Sequence, residues 1–251
     1  AAEPGRSATL NELMTHTAGL DDYCGDDFER RTRAEVLTDC MARPLKHAKG
    51  EAVYSNMGLS MAAAVVEFVS GRRWEEWLRE RIWKPFGMTR TIWSSPGKLR
   101  EDLALGYLGD TLQVNIADRI AALDGADWNL KGNGGLQASA EDMQRLYHGL
   151  MAQPAAVRAL MLSPHADAAE ADVKQGYGLF FRLDDTGRPY RLGHGGSDGV
   201  FYSYFALFPG PKAFFYFVGN NGEEPARRVM VAALRTLQDS LGVGPRKPGP
   251  K

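Results

Sequence analysis

The sequence predicts an α+β fold in layers, a helical part followed by an antiparallel sheet and a packing helix. Three observations carry this. Apolar residues recur at helical spacing through the first two thirds of the 251 residues. After about residue 175 the period changes to short aromatic-rich runs separated by turn sequences. A last amphipathic stretch then closes the chain. That order of elements is what an α+β domain requires, because a sheet with one apolar face needs helices packed on it.

The elements follow in chain order. Leu10, Leu13 and Met14 share a helix face, and Gly19 can end that helix. Thr32 with Glu35 makes a capping box. Met57 to Ser70 is apolar almost all round and should be buried, with Gly71 as its stop. "RRWEEWLRERIW" follows, with Glu75–Arg79 and Glu80–Lys84 at i,i+4 and Pro85 closing it. Ser139 and Asp142 form another capping box, after which Met143, Leu146, Tyr147, Leu150 and Met151 repeat at helical spacing. "YGLFFRL", "GVFYSYFALF" and "KAFFYFVGN" read as strands, punctuated by "DDTGRP" and "PGPK". Pro225 opens the final helix, with Met230, Ala233, Leu234, Leu237 and Leu241 on one stripe. The expected division is a helical part over 1–172, sheet and helix over 173–242, and a disordered tail over 243–251. The first six residues look equally loose.

Composition excludes several classes. Formal net charge is -1 and Lys and Arg form no long runs, so nothing marks a nucleic-acid partner. No apolar stretch reaches the length of a transmembrane segment. The start "AAEPGRSATL" lacks the pattern of a signal peptide. The five histidines are far apart and none sits at ligand spacing, so no metal and no cofactor is expected. "GNGG" and "GHGG" match neither a P-loop nor a dinucleotide fingerprint. Cys24 and Cys40 could pair, but the spacing does not require it. Two free thiols is the simpler reading, and the redox compartment stays open.

Four polar islands stand out. Tyr54 and Asn56 lie two apart where the apolar helix begins. Taken alone, Ser55 or Asn56 reads as the helix cap and Tyr54 as a hydrophobic staple. A phenol near a nucleophile can also serve as a general base, and an asparagine amide can hold a substrate amide. In "RLGHGGSDGVF", His194, Gly195 and Gly196 lie between two strand-like runs. The plain reading is a hairpin turn. The functional one is an edge strand lining a cleft, with the Ser197 N–H serving an oxyanion. His16 in "LMTHTAGL" reads as a structural histidine at a helix end, and "GNGGLQASAEDM" as a glycine-rich turn into a capped helix.

Together, the order and spacing of "TLNELMTHTAGL", "KGEAVYSNMGLSMAAAVVEFVSGRRWEEWLRERIWKPFGMTRT", "GNGGLQASAEDMQRL" and "GHGGSDGVFYSYFALFPGPKAFFYFVGNN" closely resemble the serine β-lactamase and penicillin-binding-like family. The nearer branch holds class C β-lactamases, D-aminopeptidases and related esterases. The resemblance implies a β-lactamase-like layered fold and acyl transfer to serine. That family uses Ser-x-x-Lys, Tyr-x-Asn, and Lys-Thr-Gly or His-x-Gly. By the resemblance Tyr54 is the acid/base, Asn56 a substrate and lysine contact, His194-Gly195-Gly196 the third motif, and the Ser197 N–H an oxyanion donor. Ser95-Pro96-Gly97-Lys98 is the one Ser-x-x-Lys, but it lies downstream of Tyr54 with Pro and Gly inside it, so it reads as coincidence. The resemblance therefore implies that the nucleophile and the first sheet strands come from an N-terminal segment or a complementary chain outside this one. It implies an ester, amide or D-peptide substrate, with His194 in place of lysine arguing against strong β-lactamase activity. A periplasmic or secreted site is compatible with it. A non-catalytic binding protein on the same fold is the alternative.

Overall fold

The computed structural model describes residues 8–93 and 103–245. Ser95 and Lys98, the first six residues and positions 246–251 of the tail lie outside the described residues. The chain divides into two compact units. One comprises 1–103 with 115–158, the other 104–114 with 159–251. The change from helix to sheet thus falls earlier than residue 172, and a short excursion at 104–114 belongs with the sheet.

The first unit is helical. α1 (Leu10–Met14) starts on a capping box that the sequence reading did not single out, with Thr9 and Glu12 bonding each other reciprocally. It ends at Met14, well before Gly19. α2 (Arg33–Ala42) has the expected Thr32–Glu35 box. α3 (Asn56–Ser70) ends at Gly71 in the left-handed region. It is not buried all round. Its first half and one face sink among Cys24, Val36, Cys40 and Trp128. Near its end Phe68 is 87% exposed and Val69 78% exposed.

The next helix corrects three expectations. α4 (Trp74–Leu78) runs into a π-helical turn, Arg79–Trp83, and on into α5 (Lys84–Phe86). Pro85 therefore does not close the helix. The wider turn places an i→i+5 bond from Lys84 N–H to Arg79 O just before the proline, where the missing N–H breaks no ladder. Gly87, at φ 71°, is the stop. Glu75 and Glu80 leave their i,i+4 neighbours for longer-range partners, Glu80 taking Arg72 and Glu75 taking Arg73 and Lys131. Lys131 is the reason for the latter. It is 2% exposed, and a buried ammonium needs anions. Its Nζ reaches Glu75 at 2.7 Å and Asp127 at 3.1 Å, and lies 4.8 Å from the Trp93 ring centre. Burial alone would raise the Glu75 carboxyl, but the Lys131 hydrogen bond and charge outweigh it and leave its pKa lowered.

α6 (Ile116–Ala121) and α7 (Ala140–Met151) complete this unit, and α8 (Ala155–Met161) crosses the boundary. Only half of the box at α7 forms. The Ser139 side chain accepts from the Asp142 N–H, but the Asp142 carboxylate does not turn back. It accepts instead from the Arg90 N–H and the Thr91 hydroxyl, at 2.7 and 2.8 Å, and pairs with Arg145. The cysteines are joined, Cys24 to Cys40 with Cα atoms 5.7 Å apart. The free-thiol expectation is corrected because both packing partners bring them into one core cluster with Met57.

The second unit holds a two-stranded hairpin, β1 (Gly106–Leu108) with β2 (Thr111–Gln113), that the sequence reading missed. Its runs are too short to show a period. The main sheet is antiparallel, in the order β3 (Ala166–Asp167), β4 (Val173–Gln175), β5 (Phe180–Leu183), β6 (Pro189–Ser197), β7 (Tyr202–Phe208) and β8 (Ala213–Gly219). α9 (Glu223–Leu241) packs Ala226, Met230 and Leu234 against Tyr202, Ala206 and Phe208. Ala233, expected on that stripe, is exposed and Ala226 takes its place. Residues 243–245 form no regular element.

The buried ion cluster sets a stability test. Lys131→Met removes the cation, leaving the buried Asp127 without one and Glu75 with the exposed Arg73 alone, so urea denaturation should show a loss of about 3–5 kcal/mol. An unchanged midpoint would mean that solvent reaches the cluster.

Candidate active site

The Tyr54–Asn56 island sits at a helix start that is buried. Ser55, Asn56 and Met57 are 3%, 7% and 4% exposed. The first N–H groups of a helix have no partner within it, so a buried start must find acceptors elsewhere. Here each one does. The Asn56 N–H donates to Asp22 Oδ1 at 3.0 Å, and the Met57 N–H to the Asp22 carbonyl at 2.9 Å. The Gly58 N–H donates to Ser55 Oγ at 3.0 Å. Ser55 Oγ in turn donates to the Asp21 carbonyl at 2.7 Å. The loop Asp21–Cys24 is thus wrapped over the first turn of α3. The cap is Ser55, as one sequence reading had it, but the aspartates were not legible because their partners lie 34 residues downstream.

The same bonds place the two functional candidates. The Tyr54 hydroxyl donates to Asn56 Oδ1 at 3.2 Å, and Asn56 Nδ2 donates to Asp22 Oδ1 at 3.0 Å. His16 supports the tyrosine from behind. Its ring lies 4.4 Å from the Tyr54 ring, and its Nδ1 accepts the Ser55 N–H at 3.2 Å. The expected structural role for His16 holds, though it ties down the Tyr54 segment rather than the last carbonyls of α1. As a residue Tyr54 is 36% exposed, yet burial of its hydroxyl end, with the Asp22 charge added, pushes its pKa up to about 12. Burial, with Asp27 and Asp22, does the same for the neighbouring Tyr23. The "GNGG" stretch also serves this region. Asn133 Nδ2 donates to Ser60 on α3 at 3.2 Å, in keeping with loop geometry.

His194, Gly195, Gly196 and Ser197 belong to the other unit. They form the end of β6 rather than a hairpin turn. β6 is an inner strand of the sheet, not an edge. However, its pairing with β5 stops at Gly193–Phe180, while its pairing with β7 continues through His194–Phe205 to Ser197–Tyr202. Residues 194–197 therefore overhang β5, and the segment is an edge locally. The glycines differ in what they need. A Cβ at Gly193 would meet the Phe205 carbonyl oxygen at 2.1 Å, so sheet packing demands that glycine. A Cβ on Gly196 would meet nothing closer than Ser203 Oγ at 3.6 Å, so packing does not explain that one. Burial lowers the His194 pKa, with the Gly195 carbonyl opposing, which leaves a neutral imidazole at pH 7. Its Nδ1–H donates to that carbonyl at 2.5 Å, and its ring lies 5.5 Å from Phe180.

The structure thus brings Tyr54 and Asn56 into contact in one unit and gathers the His194–Ser197 segment in the other. Among the described residues no group of three or more His, Cys, Asp or Glu could hold a metal ion. Nor is any described helix long and apolar enough to cross a membrane.

Comparison with known proteins gives a consistent picture. A sequence model described as Beta-lactamase matches residues 1–239. Penicillin-binding protein 4 of Amycolatopsis lactamdurans is 25% identical over 88% of this chain and 61% of its own length. The lovastatin esterase of Penicillium rubens is 28% identical over 76% of this chain and 54% of its own. The chain thus spans roughly three fifths or less of these curated relatives. Among solved structures, a beta-lactamase/D-alanine carboxypeptidase from Yersinia pestis, complexed with citrate, superposes with a TM-score of 0.75 at 20% identity. It covers 95% of this chain and 72% of that one. The α+β architecture read from the sequence is the fold of these neighbours.

The phenol environment makes a direct prediction. At pH 10, where an ordinary tyrosine is half ionised, Tyr54 should remain a phenol. Ring-carbon NMR, assigned with Tyr54→Phe, reads this. Half-ionisation near 10 would mean that water reaches the hydroxyl freely.

Proposed function

Because the chain belongs to the Beta-lactamase family, we propose that it is the C-terminal part of a serine hydrolase. Its chemistry is acyl transfer to serine followed by hydrolysis. The substrate is an ester, an amide or a D-amino-acid peptide, with a β-lactam as one form of the amide. The Ser-x-x-Lys nucleophile is contributed by a segment outside residues 1–251. The observation that carries this reading is the Tyr54–Asn56 pair, a phenol bonded to an amide at a buried helix start.

Each residue has a chemical task in this reading. Tyr54 moves a proton to or from the reacting group. At about 12 its pKa is too high for a base at neutral pH, and a nearby lysine ammonium would lower it. Asn56 gives one amide proton to Asp22 and directs the other at the Tyr23 phenol, where a substrate carbonyl takes it in place of Tyr23. The extended His194-Gly195-Gly196 segment offers backbone to a substrate chain, and the Gly196 position has room for it. The Ser197 N–H serves as an oxyanion donor. A neutral His194 gives no fixed cation for a substrate carboxylate, which favours esters and D-peptides over strong β-lactamase activity.

A non-catalytic binding protein on this fold is the second reading. What favours it is the raised Tyr54 pKa, which suits a structural phenol. One experiment separates the two. The chain alone, treated with an activated phosphonate, should keep its intact mass, whereas the complete protein should gain one adduct. In that protein Tyr54→Phe should lower turnover by about 10²–10⁴-fold, the range for a positioned acid/base. An adduct on Ser95 would overturn the assignment of the nucleophile. No adduct on the complete protein would leave the binding reading.

A further inference from the structure

Asp22 does more than cap a helix. Its Oδ1 receives two donors from one residue, the backbone N–H and the side-chain Nδ2 of Asn56, each at 3.0 Å. A carboxylate accepts and does not donate, so it can face only the nitrogen end of the Asn56 amide. The amide oxygen is thereby turned away, and there it accepts the Tyr54 hydroxyl. In isolation an asparagine amide has two orientations of nearly equal shape, and only its partners choose between them. Asp22 makes that choice.

Asp22 is itself held in place. Its N–H donates to Asp21 Oδ1 at 2.8 Å, and Asp21 pairs with Lys46 at 2.9 Å. Its carbonyl accepts the Met57 N–H, and two residues on, Cys24 is bonded to Cys40 on α2. The carboxylate therefore stands on a segment anchored from both sides. The motif itself, Tyr-x-Asn, says nothing of this partner.

We infer that Asp22 is a positioning residue of the Tyr54–Asn56 pair, fixing the Asn56 amide so that its oxygen takes the Tyr54 hydroxyl and its nitrogen faces Asp22 and the Tyr23 phenol, from which a substrate carbonyl takes the second N–H. The last part rests on the hydrolase reading above; the geometry does not. The groups that face the Tyr54 phenol are His16, Asp22, Tyr23 and Asn56. Of these Asp22 supplies the negative charge and supports the raised phenol pKa after burial.

The test uses two variants. Asp22→Ala removes the acceptor. Asp22→Asn keeps an oxygen acceptor and the cap, so it folds if Asp22→Ala does not. The first readout is the ¹H–¹⁵N spectrum of the Asn56 side chain, in the chain as it stands. In the wild type one amide proton should resonate well downfield of the other. The separation should shrink in Asp22→Asn and vanish in Asp22→Ala, and Tyr54 should ionise at lower pH in both. The second readout is turnover of the complete enzyme. Asp22→Ala should lower kcat by up to about a hundredfold with a smaller change in KM, as for a misplaced contact, and Asp22→Asn should recover part of it. An Asn56 amide unchanged by both variants overturns the inference whatever the turnover. Undiminished turnover in Tyr54→Phe would sink the hydrolase reading instead, and the amide spectrum would still decide the geometry.

Discussion

The structure around Tyr54 and Asn56 depends on one constraint, the burial of a helix N-terminus. The first turn of α3 lies under the loop 21–24, out of reach of water. Its donors would each cost about 1–3 kcal/mol if left without acceptors. Asp22 supplies two of those acceptors and the N-cap Ser55 the third, so the loop cannot leave the helix without exposing the Asn56 and Met57 donors. The Asn56 side chain adds a second bond to the Asp22 carboxylate. What looks like a capping device is therefore also what orients an amide and a phenol. The packing behind it is apolar, with Met57, Val36, Trp128 and the Cys24–Cys40 bridge in one cluster.

In the second unit the controlling feature is a difference in strand length. β6 is longer than β5, so its last four residues are paired on one side only. Glycine appears there for two distinct reasons. At Gly193 the neighbouring strand leaves no room for a side chain. At Gly196 the protein leaves room that nothing in the sheet fills.

Much of this was legible in the sequence wherever the signal is local. The Thr32–Glu35 box, the Gly71 stop, the long strands β7 and β8 and the Tyr-Ser-Asn motif all depend on residues within a few positions of each other. The misses have the opposite character. Glu75 and Glu80 were given their helical neighbours, but a buried lysine 56 residues away took the first. The Asp142 carboxylate was drawn from its own cap to a loop 51 residues upstream. α3 was expected to be buried throughout, because its composition cannot say which end meets solvent. Pro85 was read as a stop because a π turn has no sequence period of its own. The Asp22 contact belongs with these: an aspartate in a loop looks like any other until the fold brings a helix start beneath it.

The central claim is that the buried donors of α3 are held by the loop 21–22 and Ser55. Amide hydrogen exchange tests it most directly. First-turn amides of a helix lack intrahelical partners and normally exchange quickly. Here the amides of Asn56, Met57 and Gly58 should be protected to the same degree as those of Ala63 and Ala64 in the middle of α3. Exchange of these three at the rate of an unstructured peptide, with the middle of α3 still protected, would contradict the account.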